Sequence, residues 1–266
     1  MCSVYQFDEL KKLEVYETSQ LGSGACGTIS LVYDNNGNEF VMKRFDEDDD
    51  ETISLDALRE MSMFRLLSGN NSHPNIVTMH SMDVNCDYTE VIMPKYSYNL
   101  RCGIKNNLLK GNKLKVAYQL LSAVEHIHSR NIMHRDLKPE NIMFNNKLEP
   151  VIIDFGMAKM IDSKGKYGLT HTKDCGTAGY MAPEVYTGNE YDCSSDLWSL
   201  GIILLEIFSG KELNCDRDKA AFRKIRDKKK SFPNKPMYKI IASLLSEDPG
   251  ERISCAEILK NDLFKK

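Results

Sequence analysis

Apolar and polar positions first alternate along this chain and then recur at helical spacing. Thr28, Ile29, Ser30, Leu31, Val32 and Tyr33 are β-branched, aromatic and partly alternating, which predicts a strand. The DNNGN run that follows supplies a turn, and Glu39 to Phe45 predicts a second strand. In that strand Val41, Lys43 and Phe45 share one face and Met42 and Arg44 the other. The segment ISLDALREMSMFRLL, 53–67, places Ile53, Ala57, Met61, Phe64 and Leu67 on one helical stripe, with Glu60 on the same stripe. Helices are also predicted over 116–129 and 196–208. Short strands are predicted at NIM before residue 134 and in the apolar run that opens VIIDFG at 151.

Two features of this pattern carry chemistry. Gly22, Gly24 and Gly27 stand at G-x-G-x-x-G spacing. A dinucleotide-binding turn would need a helix after the glycines, and a strand follows instead. The glycines therefore sit in the bend of an antiparallel hairpin, where main-chain N–H groups can fold over a phosphate tail. A glycine-rich turn without a ligand has the same residues. Lys43, in line with Val41 and Phe45, is partly buried and needs an anion. Glu60, on an inward stripe, needs a cation. Pairing the two satisfies both, and a surface glutamate at the edge of the stripe is the alternative.

Composition narrows the class. The chain has 266 residues, 42% hydrophobic and 27% charged, with a formal net charge of −3. That is ample for one large domain or two lobes, and it supplies no field that would draw the chain to nucleic acid or an anionic membrane. Neither partner is expected. DEDDDE at 46–51 and RKIRDKKK at 223–230 read as solvated segments. The N-terminus has no apolar signal region and no Gly at position 2. The apolar run 197–208 is too short to span a bilayer and contains Glu206, so a buried core helix is expected there. Eight scattered cysteines without a C-x-x-C pair imply reduced thiols and an intracellular address, cytoplasmic or nuclear. His126 and His128 have no cysteine partners nearby and read as surface or capping residues, not metal ligands.

The ordered set GSGACGTI, VMK, LRE, HPNIV, HRDLKPEN, DFG, APE and SSDLWSLG resembles the eukaryotic protein kinase family, from about residue 15 to the C-terminus. The resemblance implies an α+β, two-lobed fold: a small antiparallel sheet with one main helix, then a larger, mainly helical lobe. It divides the chain into an extension at 1–14, a first lobe at 15–96 and a second at 97–266, with one kinase domain over 15–264 and ATP in the cleft. Phosphoryl transfer needs metal, positioned charge and an oriented nucleophile. By the resemblance, Asp136 is the catalytic base and Lys138 balances charge on the transferring group. Lys43, held by Glu60, grips the α and β phosphates, and Asn141 and Asp154 hold Mg²⁺. Gly22, Ser23, Gly24, Ala25, Cys26, Gly27 and Thr28 cover the phosphates. Leu21, Ile29, Val41 and Met143 wall the adenine pocket, Met93 sits at its back, and the backbones of Pro94 and Tyr96 bond the base. Taken singly, Asp136 and Asn141 could be turn residues and Asp154 a strand-end cap.

The resemblance also implies a substrate class and a switch. Lys138-Pro139 and Thr177 match members that phosphorylate Ser and Thr in proteins. Glu184 and Arg252 match a buried pair that anchors the peptide platform. Asp196 matches a buried acid that holds the HRD backbone, although a simple N-cap would also place an Asp there. Arg135 marks members switched by phosphorylation of the activation segment, which implies an upstream activating kinase. The expected phosphosite is Thr172, or else Thr170, with Arg59, Arg135 and Lys159 binding the phosphate. Ala57–Glu60 and the spacing from Thr172 to Thr177 partly resemble the cyclin-dependent branch, which leaves a cyclin-like activator open. The missing arginine in GYMAPE and the absence of a long insert between 210 and 235 weigh against it. The chain ends near the last family helix, so no further domain is expected.

Overall fold

The computed structural model describes residues 15–24, 27–45, 55–69, 72–84, 89–161, 176–213, 225 and 227–265. Ala25, Cys26, Thr170, Thr172, Ile53, the acidic run 46–51 and the extension at 1–14 lie outside the described residues. The chain packs as two compact units. The first runs to Ser72 and includes Val77–Lys95; the second comprises His73–Ile76 and everything from Tyr96 on.

The first unit is an antiparallel five-stranded sheet in the order β1-β2-β3-β5-β4, accompanied by helix α1. The strands are β1 Val15–Gly24, β2 Gly27–Asp34, β3 Glu39–Phe45, β4 Ser81–Val84 and β5 Thr89–Pro94. The glycine motif is the tip of the β1–β2 hairpin, where Gly24 pairs with Gly27. Gly27 has φ +125°, and a Cβ there would lie 2.0 Å from the Arg44 carbonyl oxygen. Close approach of β3 therefore requires the third glycine, whatever the loop binds. Helix α1, Leu55–Leu66, buries Ala57, Glu60, Met61 and Phe64, the stripe expected from its spacing. The far side of the sheet departs from simple alternation. Met42 shares a face with Arg44, yet it is buried with Val32 and Ile92 in a second small core, flanked by Val15 and Phe40. Of the β3 side chains on that face, Phe40, Met42 and Arg44, only Arg44 is exposed, and its Nε donates to Glu90 at 2.6 Å.

The second unit is mainly helical. Its helices include α2 Leu100–Lys105, α3 Lys113–His128, α4 Pro183–Tyr186, α5 Ser194–Ser209 and a helix over Pro236–Leu244. Short strands β6 Tyr98–Asn99, β8 Ile142–Phe144 and β9 Pro150–Ile152 form one small sheet, and β7 Ile132–Met133 pairs with β10 Lys159–Met160. Helix α5 is the hub, with every residue from Ser195 to Ile207 buried. A helix apolar on all sides belongs inside a core. Gly201 permits the close approach of helix 236–244, since a Cβ there would sit 3.0 Å from that of Leu244. Gly210 ends α5 in the left-handed conformation, φ +67°. Among the described residues no helix is long and apolar enough to cross a membrane.

Candidate active site

In the first unit, β3 and α1 bring together the two charges that the sequence leaves unpaired. Lys43 Nζ donates to Glu60 Oε2 at 2.5 Å, and both residues are buried. The ammonium also lies 4.9 Å from the centre of the Phe45 ring. Leu21 and Ile29 are exposed, and Val41 and Met93 are half-buried and paired in register across β3 and β5. Pro94 ends β5 opposite Phe40. It has no N–H to give, so only its carbonyl could serve a base. Gly22, Ser23 and Thr28 lie on the β1–β2 hairpin, and Arg59 is half-buried on α1.

In the second unit a dense polar network surrounds Asp136. Strand β7 leads into the HRDLKPEN loop, which turns back through a short 3-10 helix, Pro139–Asn141, into β8. Asp136 Oδ2 accepts from Lys138 Nζ at 2.7 Å and from Asn141 Nδ2 at 3.0 Å. Its Oδ1 accepts from the Thr177 hydroxyl at 2.9 Å and the Thr177 N–H at 3.1 Å. Lys138 Nζ also donates to Thr177 Oγ1 at 2.9 Å. The four bonds donated to Asp136 fix its carboxylate in orientation, as a group that is to accept a proton must be.

The backbone beneath that carboxylate is held by Asp196. Its carboxylate accepts from the N–H of His134 at 2.8 Å, the N–H of Arg135 at 2.9 Å and His128 Nε2 at 2.9 Å. Burial pushes the Asp196 carboxyl up, but the His128 hydrogen bond first, then the His128 charge and the His134 backbone N–H, outweigh it, and the group stays below its usual range. Asp196 is therefore no N-cap; Cys193 holds that position, and Asp196 lies three residues further in. Arg135 adopts φ +67° and Asp154 φ +65°, both in the left-handed region. Such strain persists where surrounding bonds over-determine the backbone, and Asp196 supplies them for Arg135.

His134 links this loop to Asp154. Its Nδ1 accepts from the Asp136 N–H at 3.3 Å, so Nε2 carries the proton and donates to the Ile153 carbonyl at 3.2 Å. Its ring packs on Phe155 at 4.9 Å between centres. The Ile153 N–H donates to the Asn141 carbonyl at 2.9 Å, which ties the two expected metal-binding segments together. Arg135 Nε donates to the Met157 carbonyl at 2.6 Å, and its Nη1 to the Tyr191 hydroxyl at 3.3 Å. Lys159, on β10, pairs in register with Met133. Met143 is half-buried on β8, and burial pushes the half-buried Tyr96 hydroxyl up to about 12.

The Glu184–Arg252 pair forms as expected, with bonds of 2.6 and 2.8 Å. Sequence reasoning misses three features. His128 is no surface residue; it is a partner of Asp196. Tyr191 is a partner of Arg135. Glu206, read only as an interruption of an apolar run, is fully buried and bonded to Arg101 and Tyr180. A charge inside an apolar helix was the available signal.

Comparison with known proteins agrees with this geometry. The family model described as the protein kinase domain matches residues 15–264. Among curated relatives, CBL-interacting serine/threonine-protein kinase 15 of Arabidopsis thaliana is 32% identical over 257 residues, covering 90% of this chain and 59% of the relative. CBL-interacting protein kinase 15 of Oryza sativa subsp. japonica is 30% identical over 269 residues, covering 96% and 60% respectively. CBL-interacting serine/threonine-protein kinase 20 of Arabidopsis thaliana is 31% identical over 255 residues, covering 90% and 56%. The chain spans 56–60% of the length of these relatives.

Proposed function

We propose the function from one premise: this chain belongs to the protein kinase family. It is a serine/threonine protein kinase that transfers the γ-phosphoryl group of ATP to Ser and Thr hydroxyls of protein substrates. The observation that carries this reading is the Asp136 carboxylate, bonded at once to Lys138, Asn141 and Thr177. In that role Asp136 accepts the proton of the incoming hydroxyl, and Lys138 stays beside it to balance negative charge. Thr177 holds the carboxylate in line and belongs to the segment that receives the peptide.

The donor set fits Mg²⁺. Asn141 commits its Nδ2 to Asp136, which leaves Oδ1 as its remaining side-chain group; Asp154 adds a carboxylate. Among the described residues no three His, Cys, Asp or Glu cluster as a metal site. Asn141 and Asp154 would thus share the ion with phosphate oxygens and water, the usual manner of Mg²⁺. When bound, Mg²⁺ neutralises phosphate charge. In the first unit Lys43, steadied by Glu60, would hold the α and β phosphates. Leu21, Ile29 and Val41 there, and Tyr96 and Met143 in the second unit, are the expected adenine contacts.

Regulation is by phosphorylation of Thr172 or Thr170 by an upstream kinase, with Arg59, Arg135 and Lys159 as phosphate partners. The names of the relatives favour a CBL-type partner over a cyclin-like one, and the cyclin-dependent likeness rests only on Ala57–Glu60 and the Thr172 spacing. Cys102, Cys193 and Cys255 are free, which supports an intracellular address. The test is to offer the protein, Mg²⁺ and labelled ATP to a degenerate Ser/Thr/Tyr peptide library, with Asp154→Asn as control. Transfer to Ser or Thr that vanishes in the control is the expected result. Transfer to Tyr alone, or none from either protein, ends the reading.

A further inference from the structure

The end of α3, the start of α5 and the short helix Cys255–Ile258 line a cleft of about 460 Å³ in the second unit. That is the size of a small-molecule site, which spans about 300 to 1,000 Å³. Leu197, Ile161 and Ala256 give it apolar walls, and Glu125, Asp192 and His128 bring polar groups to it. Among the described residues no Lys or Arg lines it. The Glu125 carboxylate is half-buried and has no hydrogen-bond or ion-pair partner among the described residues. The Asp192 carboxylate accepts from the Ser194 N–H at 2.7 Å and has no cation partner among them.

Two features separate this cleft from a solvated acidic surface. The first is a buried group with an unmet bond. Cys255, in the lining, is 2% exposed, and its thiol has no hydrogen-bond partner among the described residues. Burial, and then the charges of Asp196 and Glu125, push this thiol up, so it stays neutral. Burial and the charges of Asp196 and Asp192 do the same to Cys193, whose Sγ donates to the Ile132 carbonyl at 3.6 Å. The negative field of Glu125, Asp192 and Asp196 thus reaches into the cleft. The second feature is His128. Its Nε2 bonds the Asp196 carboxylate at 2.9 Å, so in the neutral ring the proton is on Nε2. Nδ1 is left as an acceptor, with no partner among the described residues.

We propose that this cleft binds a small organic cation, an amidine or guanidine carried on a small apolar body. Its N–H donors meet Glu125, Asp192 and His128 Nδ1, acceptors all, and its charge offsets carboxylates that no Lys or Arg in the lining offsets. Its body lies on Leu197, Ile161 and Ala256 and covers the Cys255 thiol. A metal ion does not fit, since among the described residues no three His, Cys, Asp or Glu cluster to hold one. An anion meets like charge. The bound cation touches the histidine that shares Asp196 with the His134 and Arg135 N–H groups, so the site is coupled to the anchor of the catalytic loop. The site goes beyond the phosphoryl-transfer reading and stands without it.

The test is calorimetric titration of the full chain with benzamidine, its neutral match benzamide and its anionic match benzoate. Mg²⁺ and a non-hydrolysable ATP analogue are kept in excess, so that a nucleotide site does not contribute. The variants are Glu125→Gln, Glu125→Lys, which plants a cation in the cleft, and Ala256→Trp, which fills it from an exposed position. Benzamidine binds the unaltered protein one to one, with Kd of about 1 mM or tighter. Benzamide binds weaker by about tenfold or more, and benzoate does not bind. Glu125→Gln weakens benzamidine by about tenfold or more, because a charge-assisted bond is lost. Glu125→Lys and Ala256→Trp abolish binding by different means, one electrostatic and one steric, so each checks the other. No binding of benzamidine to the unaltered protein overturns the proposal, as does equal binding of benzamide. Binding that persists unchanged in Glu125→Lys and Ala256→Trp lies elsewhere and overturns it too.

Discussion

The Lys43–Glu60 and Arg252–Glu184 pairs are both buried and oppositely charged, one in each unit, yet they are built differently. Lys43 Nζ donates to Glu60 Oε2 at 2.5 Å and keeps 11% of its side chain exposed. Arg252 has none of its side chain exposed and meets both Glu184 oxygens. It also donates to the carbonyls of Ser194 and Ser246, each at 2.9 Å, and its guanidinium lies 5.3 Å from the Trp198 ring centre. An ammonium has three donors about a flexible stem and can serve a second anion without leaving the first. A guanidinium locked in a bidentate fork cannot. The first pair is suited to present a charge, and the second to fasten α4, the start of α5 and the chain after Leu245 to one another.

Arg252→Met is the strongest way to break this contrast. It leaves Glu184 buried without its cation and frees two carbonyls, so stability should fall by about 3–5 kcal/mol. Urea denaturation monitored by Trp198 fluorescence reads this directly; a loss below about 1 kcal/mol would place the pair with solvated ones. Lys43→Met sharpens the contrast from the other side. On the kinase reading it lowers kcat about 100- to 1000-fold, the usual cost of removing one positioned donor from a developing charge. Its loss of stability should be smaller than that of Arg252→Met, since Lys43 keeps 11% of its side chain exposed to water and Arg252 none. Equal instability of the two variants would remove the distinction.

What the sequence makes legible is local conflict. Lys43 in an apolar strand and Glu60 on an apolar stripe each violate their own element, and each is resolved by the other. The glycine spacing together with the strand after it fixes the hairpin. Helix ends are less legible: 116–129 becomes Lys113–His128 and 196–208 becomes Ser194–Ser209, because end geometry and not periodicity decides where a helix stops. Contacts between distant elements are not encoded in any period. His128 finds Asp196 across 68 residues and Arg101 finds Glu206 across 105. The charge of Glu206 is conspicuous in its apolar run, but Arg101 sits in a six-residue helix too short to show a pattern. Met42 misleads for the opposite reason, since the sheet has a core on both faces.

Half-buried His73 sets a titratable group against like charges instead of opposite ones, and it gives the smallest test. Its ring lies 5.1 Å from that of His126. Nδ1 accepts from the Asn75 N–H at 3.2 Å, so the ring is neutral with its proton on Nε2, donated to Ser122 Oγ at 3.0 Å. A second proton would have to sit on Nδ1, facing that N–H. Burial first, then the charges of His126 and Arg130, push its pKa down from 6.5 to about 4. The unfolded chain therefore takes up the proton before the folded one does. The contribution of His73 to stability is complete above about pH 6.5 and declines as pH falls toward 4. His73→Gln should flatten this part of the urea midpoint against pH, while Arg252→Met lowers the whole curve. An unchanged slope between pH 6.5 and 4 in His73→Gln would mean that His73 titrates alike in both states, and that among these buried groups only the oppositely charged pairs shape the stability of the fold.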